Sequence, residues 1–300
     1  MAISRMLGTA LAAAALAAST AHAQSVPRTE WGDPDLQGVW NYGTMTPLQR
    51  PQEWAGIEIL PEDEAVVWER ETWARRAQAN QTAGTDWWEP TVLRNRRTAL
   101  IVDPPDGRIP PLTPEAQERR RAARRSSEGR YDNPETFNLR DRCVAWETSG
   151  PPMMPTVYNN NVLIVQTHDY VVLETEMIHN ARIVPMDGRP HGEELTIQGD
   201  PVGHWDGDTL VVETTRFDGQ LGFQGSGTKL RLVERFIPTS DHTLAYRFTV
   251  EDPDTWTRPW TVQVDMEKSD GEIFEFACHE GNQRSVEGIL RGARYEERQR

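Results

Sequence analysis

Leu244-Ala245-Tyr246-Arg247-Phe248-Thr249-Val250-Glu251 decides the fold class. Leu, Tyr, Phe and Val occupy the even positions, while Arg, Thr and Glu follow at 247, 249 and 251. Successive side chains of a strand point to opposite faces, so this pattern buries one face and wets the other. The alternation recurs across short turns. Lys229 to Ile237 lies before Ser240-Asp241-His242 and pairs with Leu244 to Glu251; Thr261 to Glu267 pairs with Glu272 to Cys278 across Asp270-Gly271. Val162 to Thr167 and Tyr170 to Thr175 flank His168-Asp169, the length of a tight hairpin. Ala181 to Pro185 follows, and Asp206-Gly207-Asp208 introduces Thr209 to Phe217. The expectation is a mainly β protein, an antiparallel barrel or strongly curved sheet, because closure removes exposed edges.

The earlier residues have a different texture. Residues 24–155 are rich in Pro, Trp and charge with little periodicity, and read as a long arm packed on the barrel of residues 156–300, which ends in a tail. Two short helices are expected within the arm. One begins at Pro61 with Glu62, Asp63 and Glu64 in its first turn, and puts Val66, Trp73 and Ala77 on one face. Another begins at Thr113-Pro114-Glu115, with Thr113 as cap. Thr98 to Val102 reads as a short strand between them. Gly38-Val39-Trp40 opens a further strand, and its Gly-x-Trp resembles the first strand of lipocalin-like barrels, where the Trp plugs one end.

The first 23 residues read as a secretory leader: Arg5, then the small-apolar run Leu7 to Ala18, then Ala21-His22-Ala23 before the cut. That run is too short for a permanent span, which needs about 20 apolar residues. The expected mature chain starts at Gln24, carries no integral membrane segment and works in the periplasm or outside the cell. The formal net charge of −14 argues against nucleic acid and anionic membranes as partners. The basic run Arg119 to Arg125 reads as the wet face of a short helix. Cys143 and Cys278, an even pair in an oxidising compartment, read as a disulfide. The rival is a reactive Cys278 thiol beside His279.

Candidate chemistry concentrates in three places. Glu176-Met177-Ile178-His179-Asn180-Ala181-Arg182 brings a carboxylate, an imidazole and a guanidinium together. Cys278-His279-Glu280-Gly281-Asn282 ends the last expected strand. Tyr158-Asn159-Asn160-Asn161 follows Gly150-Pro151-Pro152-Met153-Met154-Pro155, whose Met side chains would line an apolar pocket. In the expected site His179 and His279 face a common pocket, one of them as general base. Glu176 and Tyr158 stand beside them, Tyr158 as proton donor; Arg182 binds a carboxylate or phenolate, and Asn160 donates to a substrate oxygen. The competing reading is structural: an ion pair, an exposed His and a packed loop. The chain has 11 Trp, notably Trp87-Trp88 and Trp256 with Trp260, and Arg258 between the latter two would stack or bind an acid. No phosphate loop, dinucleotide fingerprint, Gly-x-Ser-x-Gly elbow or zinc spacing is present, so neither cofactor nor metal is expected. A metal held by the distant His179, His204 and His279 is the only alternative of that kind.

Several motifs together resemble a largely uncharacterised family of exported proteins of acidobacteria and sphingomonads. They are Gly32-Asp33-Pro34-Asp35-Leu36-Gln37-Gly38-Val39-Trp40, Arg97 to Pro110, Glu176-Met177-Ile178-His179 and Asp187-Gly188-Arg189-Pro190-His191. Trp205 to Thr214, Trp256-Thr257-Arg258-Pro259-Trp260 and Cys278-His279-Glu280-Gly281-Asn282 complete the set. The segment between His191 and Trp205 is shorter than in that family. The resemblance implies kinship with cofactor-independent lyases or decarboxylases acting on lignin-derived phenylcoumaran dimers, and carries over no catalytic residue. The expected function is a cofactor-independent lyase or isomerase of a small apolar, aromatic molecule. The alternatives are a lipocalin-like periplasmic binding protein and a metal-dependent hydrolase. The oligomeric state stays open, a homo-oligomer included.

Overall fold

The computed structural model describes residues 26–83, 89, 91–125, 131 and 133–299. The leader and Trp87-Trp88 lie outside the described residues. Ten strands form one antiparallel sheet: β1 (Gly38–Asn41), β2 (Ile101–Asp103), β3 (Asn161–Gln166), β4 (Tyr170–Thr175), β5 (Asn180–Pro185), β6 (Asp200–Asp206), β7 (Thr209–Thr215), β8 (Arg231–Pro238), β9 (Thr243–Glu251) and β10 (Trp260–Ser269). Their order is β5-β4-β3-β1-β10-β9-β8-β7-β6, with β2 also on β10. The sheet curls into a nearly closed barrel, and its two end strands meet where Gly203 of β6 lies against Val184 and Met186. As the alternation requires, Leu244, Tyr246, Phe248 and Val250 are fully buried, facing Phe236, Trp260, Val262, Val264 and Met266 in one core.

The last expected hairpin does not form. β9 takes one edge of β10, and two short strands from the N-terminal part share the other. β2 pairs with Thr261 and Val262, and β1 pairs with Glu267, Lys268 and Ser269. No ladder position near the turn is left for residues 272–278, which leave the sheet as an extended strap. β1 also pairs with β3, so a piece of the expected arm sits in mid-sheet rather than wrapped around it. Trp40 is buried there, its indole N–H donating to Leu36 O at 2.8 Å.

Two further elements escape the sequence pattern. β6 contains Pro201 and Gly203, which hide it; an end strand tolerates both, since its outer edge is unpaired. After Gly281, whose φ is 73°, a helix runs over Asn282–Glu297 where a corner and a tail were expected. Helices α1 (Glu62–Ala83) and α2 (Pro114–Arg125) start where expected, and the helix just described is α3. The buried face of α1 differs from the expected one: Val66 is 58% exposed, and Ala65 and Thr72 are buried instead. The reason is polar docking. Glu69 accepts from Leu93 N at 2.6 Å, and Arg76 donates to Thr91 Oγ1 at 2.8 Å.

Cys143 and Cys278 are joined as a disulfide across 135 residues. In the chain-entropy model a loop of that size stabilises by about 5 kcal/mol at most.

The seam sets a sharp size limit. A Cβ on Gly203 would lie 2.7 Å from Val184 Cγ1 and closer still to Met186 Sδ. We expect Gly203→Ala to cost about 1–3 kcal/mol through overpacking, and Gly203→Val more. Urea unfolding followed by tryptophan fluorescence measures both; unchanged midpoints would show that the seam is not close-packed.

Candidate functional site

The barrel interior is solid, not hollow. Trp260, Tyr246, Phe236, Phe248 and Met153 fill it, all below 2% exposure. One ion pair lies among them. Arg182 donates to Glu234 through two nitrogens at 2.6 and 2.9 Å, and Tyr246 Oη donates to the same carboxylate at 2.6 Å. Met153 N in turn donates to Tyr246 Oη at 3.1 Å. Burial opposes the Arg182 charge, but the charge and hydrogen bonds of Glu234 outweigh it and raise the guanidinium's pKa. Burial first, and Glu234 second, hold the Tyr246 phenol well above its ordinary pKa, so it stays a donor.

This geometry corrects the expected grouping of Arg182 with His179. Asn180, Arg182 and Val184 point inward along β5, while Ala181 and Ile183 point out. Arg182 is therefore satisfied inside the core, away from any ligand in solvent.

His179, Glu176 and Tyr158 do come together, and what they hold is the strap. The turn at Ile178 and His179, both at positive φ, swings the imidazole out of strand parity. Phe276 N donates to His179 Nε2 at 2.8 Å, and Phe274 N donates to Glu176 Oε1 at 3.1 Å. Glu176 Oε2 accepts from Asn161 Nδ2 at 2.7 Å, and Tyr158 stacks on Phe276 with ring centroids 6.4 Å apart. The acceptor nitrogen that a general base needs is thus occupied by a backbone amide. The other ring nitrogen faces Glu174, 3.9 Å away. Burial raises the Tyr158 pKa against an opposing Arg140. Asn160 closes the loop before β3: its Oδ1 accepts from Thr156 N at 2.7 Å, and its Nδ2 donates to Thr156 O and Glu89. His279 is exposed beyond the strap.

The remaining expected residues are dispersed. Arg258 is exposed and pairs with Asp103 at 2.8 Å. Trp260 is core, stacked on Phe223 and edge-on to Trp256. His204 is exposed on β6. Among the described residues, no group of three His, Cys, Asp or Glu side chains is arranged to hold a metal.

A groove missed by the sequence reading lies at one end of the barrel. Segment 109–113 docks on the β9–β10 connection: Leu112 bridges to Trp256, Thr257 N donates to Pro111 O at 3.0 Å, and Thr113 N to Thr255 O at 3.0 Å. The Thr113 hydroxyl accepts from Ala116 N at 3.1 Å, capping α2, and donates to Asp254 O at 2.9 Å. One side chain therefore starts the helix and fixes it to the barrel. Asp252 braces the connection by accepting from Gly227 N and from the Thr255 hydroxyl. The result is a cleft of about 690 Å³ whose apolar walls are Ile109, Pro110, Pro111, Leu112, Ala116 and Trp256. Arg119 and Arg120 of α2 line it as well. A second cleft of about 520 Å³, more polar, shares Gln224 and Gly225 with it and contains Arg140, Arg142, Glu135 and Glu147. The only local signals for the groove were the Pro-Pro pair at 110–111 and the Thr113 cap, and neither says what docks where.

Compared with known proteins, the chain matches no family model and no curated protein.

Two outcomes test these assignments. Arg182→Met strands the Glu234 charge in the core and is expected to cost about 3–5 kcal/mol, whereas Arg182→Met with Glu234→Leu costs less than the sum of the single changes. Equal additivity in chemical unfolding would sink the assignment of a coupled pair. His179→Ala should raise the amide hydrogen exchange of Phe276 at least tenfold in a folded protein, and His179→Gln, which keeps an acceptor, should restore part of that protection. Exchange unchanged in both would mean that the imidazole does not hold the strap.

Proposed function

We propose that this chain is an exported barrel protein that binds a small apolar, aromatic molecule in the groove at the end of the barrel. The carrying observation is the groove itself, with a wall of Leu112, Ile109 and two prolines beside Trp256. Its volume lies within the range of small-molecule sites, which are concave and mostly apolar with a few polar groups. The filled interior argues against a ligand held inside the barrel as lipocalins hold theirs, so the binding reading moves to the rim.

The same lining favours binding over turnover. Among the described residues its ionisable members are Arg119 and Arg120, and a guanidinium does not shed its proton at neutral pH. Acid–base chemistry by His179 and Glu176 would first require the strap to leave them. The family resemblance keeps an aromatic lyase as the competing reading. Export to the periplasm rests on the leader pattern and is supported by the disulfide, which persists in oxidising compartments.

The test uses N-phenyl-1-naphthylamine, a neutral aromatic probe that fluoresces in apolar sites. We expect saturable 1:1 binding, weakened at least tenfold by Ile109→Glu and by Leu112→Glu in proteins that keep the wild-type circular dichroism. Binding unaffected by both changes would place the site elsewhere. Conversion of an aromatic ligand into product by the purified protein would replace the binding reading with the lyase.

A further inference from the structure

We infer that the groove selects anions: its ligand is an aromatic or apolar body carrying a carboxylate or sulfonate, with the acid held by Arg119 and Arg120. This rests on the groove being the binding site and names the class of molecule it takes. The protein as a whole carries a formal charge of −14, yet among the described residues no acidic side chain lines this cleft, and two arginines do. A single-sign lining in a molecule of opposite net charge focuses a local positive potential where low-dielectric walls limit screening.

Among the described residues, no carboxylate pairs with either guanidinium group. Arg119 Nη2 donates to Asp254 O at 3.1 Å and to Thr255 Oγ1 at 3.1 Å, both uncharged acceptors. The nearby Asp254 carboxylate is engaged by Lys229 Nζ at 3.0 Å. Arg119 is thus held in place by dipoles while keeping its full charge and its other N–H donors. Arg120, one position on, is exposed and makes no hydrogen bond or ion pair among the described residues. A fixed guanidinium beside a free one is suited to an oxyanion with two or three acceptor oxygens, because Arg presents its donors in a planar fork. Ion pairing at the rim and apolar contact with Ile109, Pro111 and Leu112 then act on opposite ends of one molecule.

The acid requirement is separable from the aromatic one with matched probes. 8-Anilinonaphthalene-1-sulfonate has the same ring system as N-phenyl-1-naphthylamine plus one sulfonate. The full chain at 50 mM salt is expected to bind the sulfonate at least tenfold tighter than the neutral probe. That preference should shrink at 500 mM salt, where the Debye length falls to roughly 4 Å. Arg120→Met should remove most of the preference, and Arg119→Met should remove it too. Arg235→Met, which breaks a pair with Asp206 on the outer face of β8, should leave both affinities unchanged. Equal affinity for the two probes, or a preference that survives both arginine changes in folded protein, overturns the inference while the groove remains an apolar site. If neither probe binds, the groove reading falls and the inference with it.

Discussion

β10 has two edges, and each backbone group along them seeks one partner. β9 covers one edge from Trp260 to Glu267, while on the other edge β2 takes Thr261 and Val262 and β1 takes Glu267 to Ser269. Unpaired backbone groups inside a sheet are costly, so the occupation of the positions beside the Asp270-Gly271 turn by β1 decides what the following residues can do. Residues 272–278 have hairpin sequence and a turn in front of them, but the edge positions next to that turn, Glu267 to Ser269, are held by β1. They become a strap on the outside, and the strap in turn needs acceptors for its own amides. Glu176 and His179 supply them, and Cys278 ties the end to Cys143. The residue types that suggested proton transfer are thereby engaged in holding the chain down.

A second constraint operates inside. Tyr246, Phe236 and Phe248 crowd a barrel with no room to spare, and a fully paired Arg182–Glu234 unit crosses that core. A buried charge survives only when it is paired and its remaining hydrogen bonds are met. Tyr246 meets one of them and is itself met by Met153 N, so the network links β5, β8, β9 and the Pro-rich segment before β3. Such an interior is a stable plug. Ligand space is pushed out to the end of the barrel, where a docked proline segment and a capped helix leave a groove between them.

The gap between sequence and site is concrete. Periodicity placed β3, β4, β5, β7, β8, β9 and β10 to within a residue or two, because alternation and turn residues are local signals. It missed β6, where Pro201 and Gly203 break the pattern, and it assigned Glu272 to Cys278 to an edge whose first positions β1 already holds. The site residues fared differently. His179, Glu176 and Tyr158 were expected in one pocket and instead all contact the strap, and a cluster of polar residues has no local mark to distinguish a catalytic set from a clamp. Arg182 was separated from them by strand parity, which a two-residue irregularity at Ile178 and His179 makes unreadable in advance.

What the amino-acid sequence by itself determined was seven of the strands with one buried face, the two N-terminal helix starts and the pairing of two cysteines. Each follows from covalent spacing, from the period of two in a strand, or from having a single possible partner. What only the tertiary structure decided was which strands lie side by side, that a four-residue strand from the N-terminal part enters the middle of the sheet, and that the interior is full. It also decided the groove, because Pro111, Arg119 and Trp256 meet only after segment 109–113 finds the Asp254–Thr257 backbone. Hydrogen-bond saturation and volume filling are properties of the assembled whole, and no stretch of sequence contains them alone.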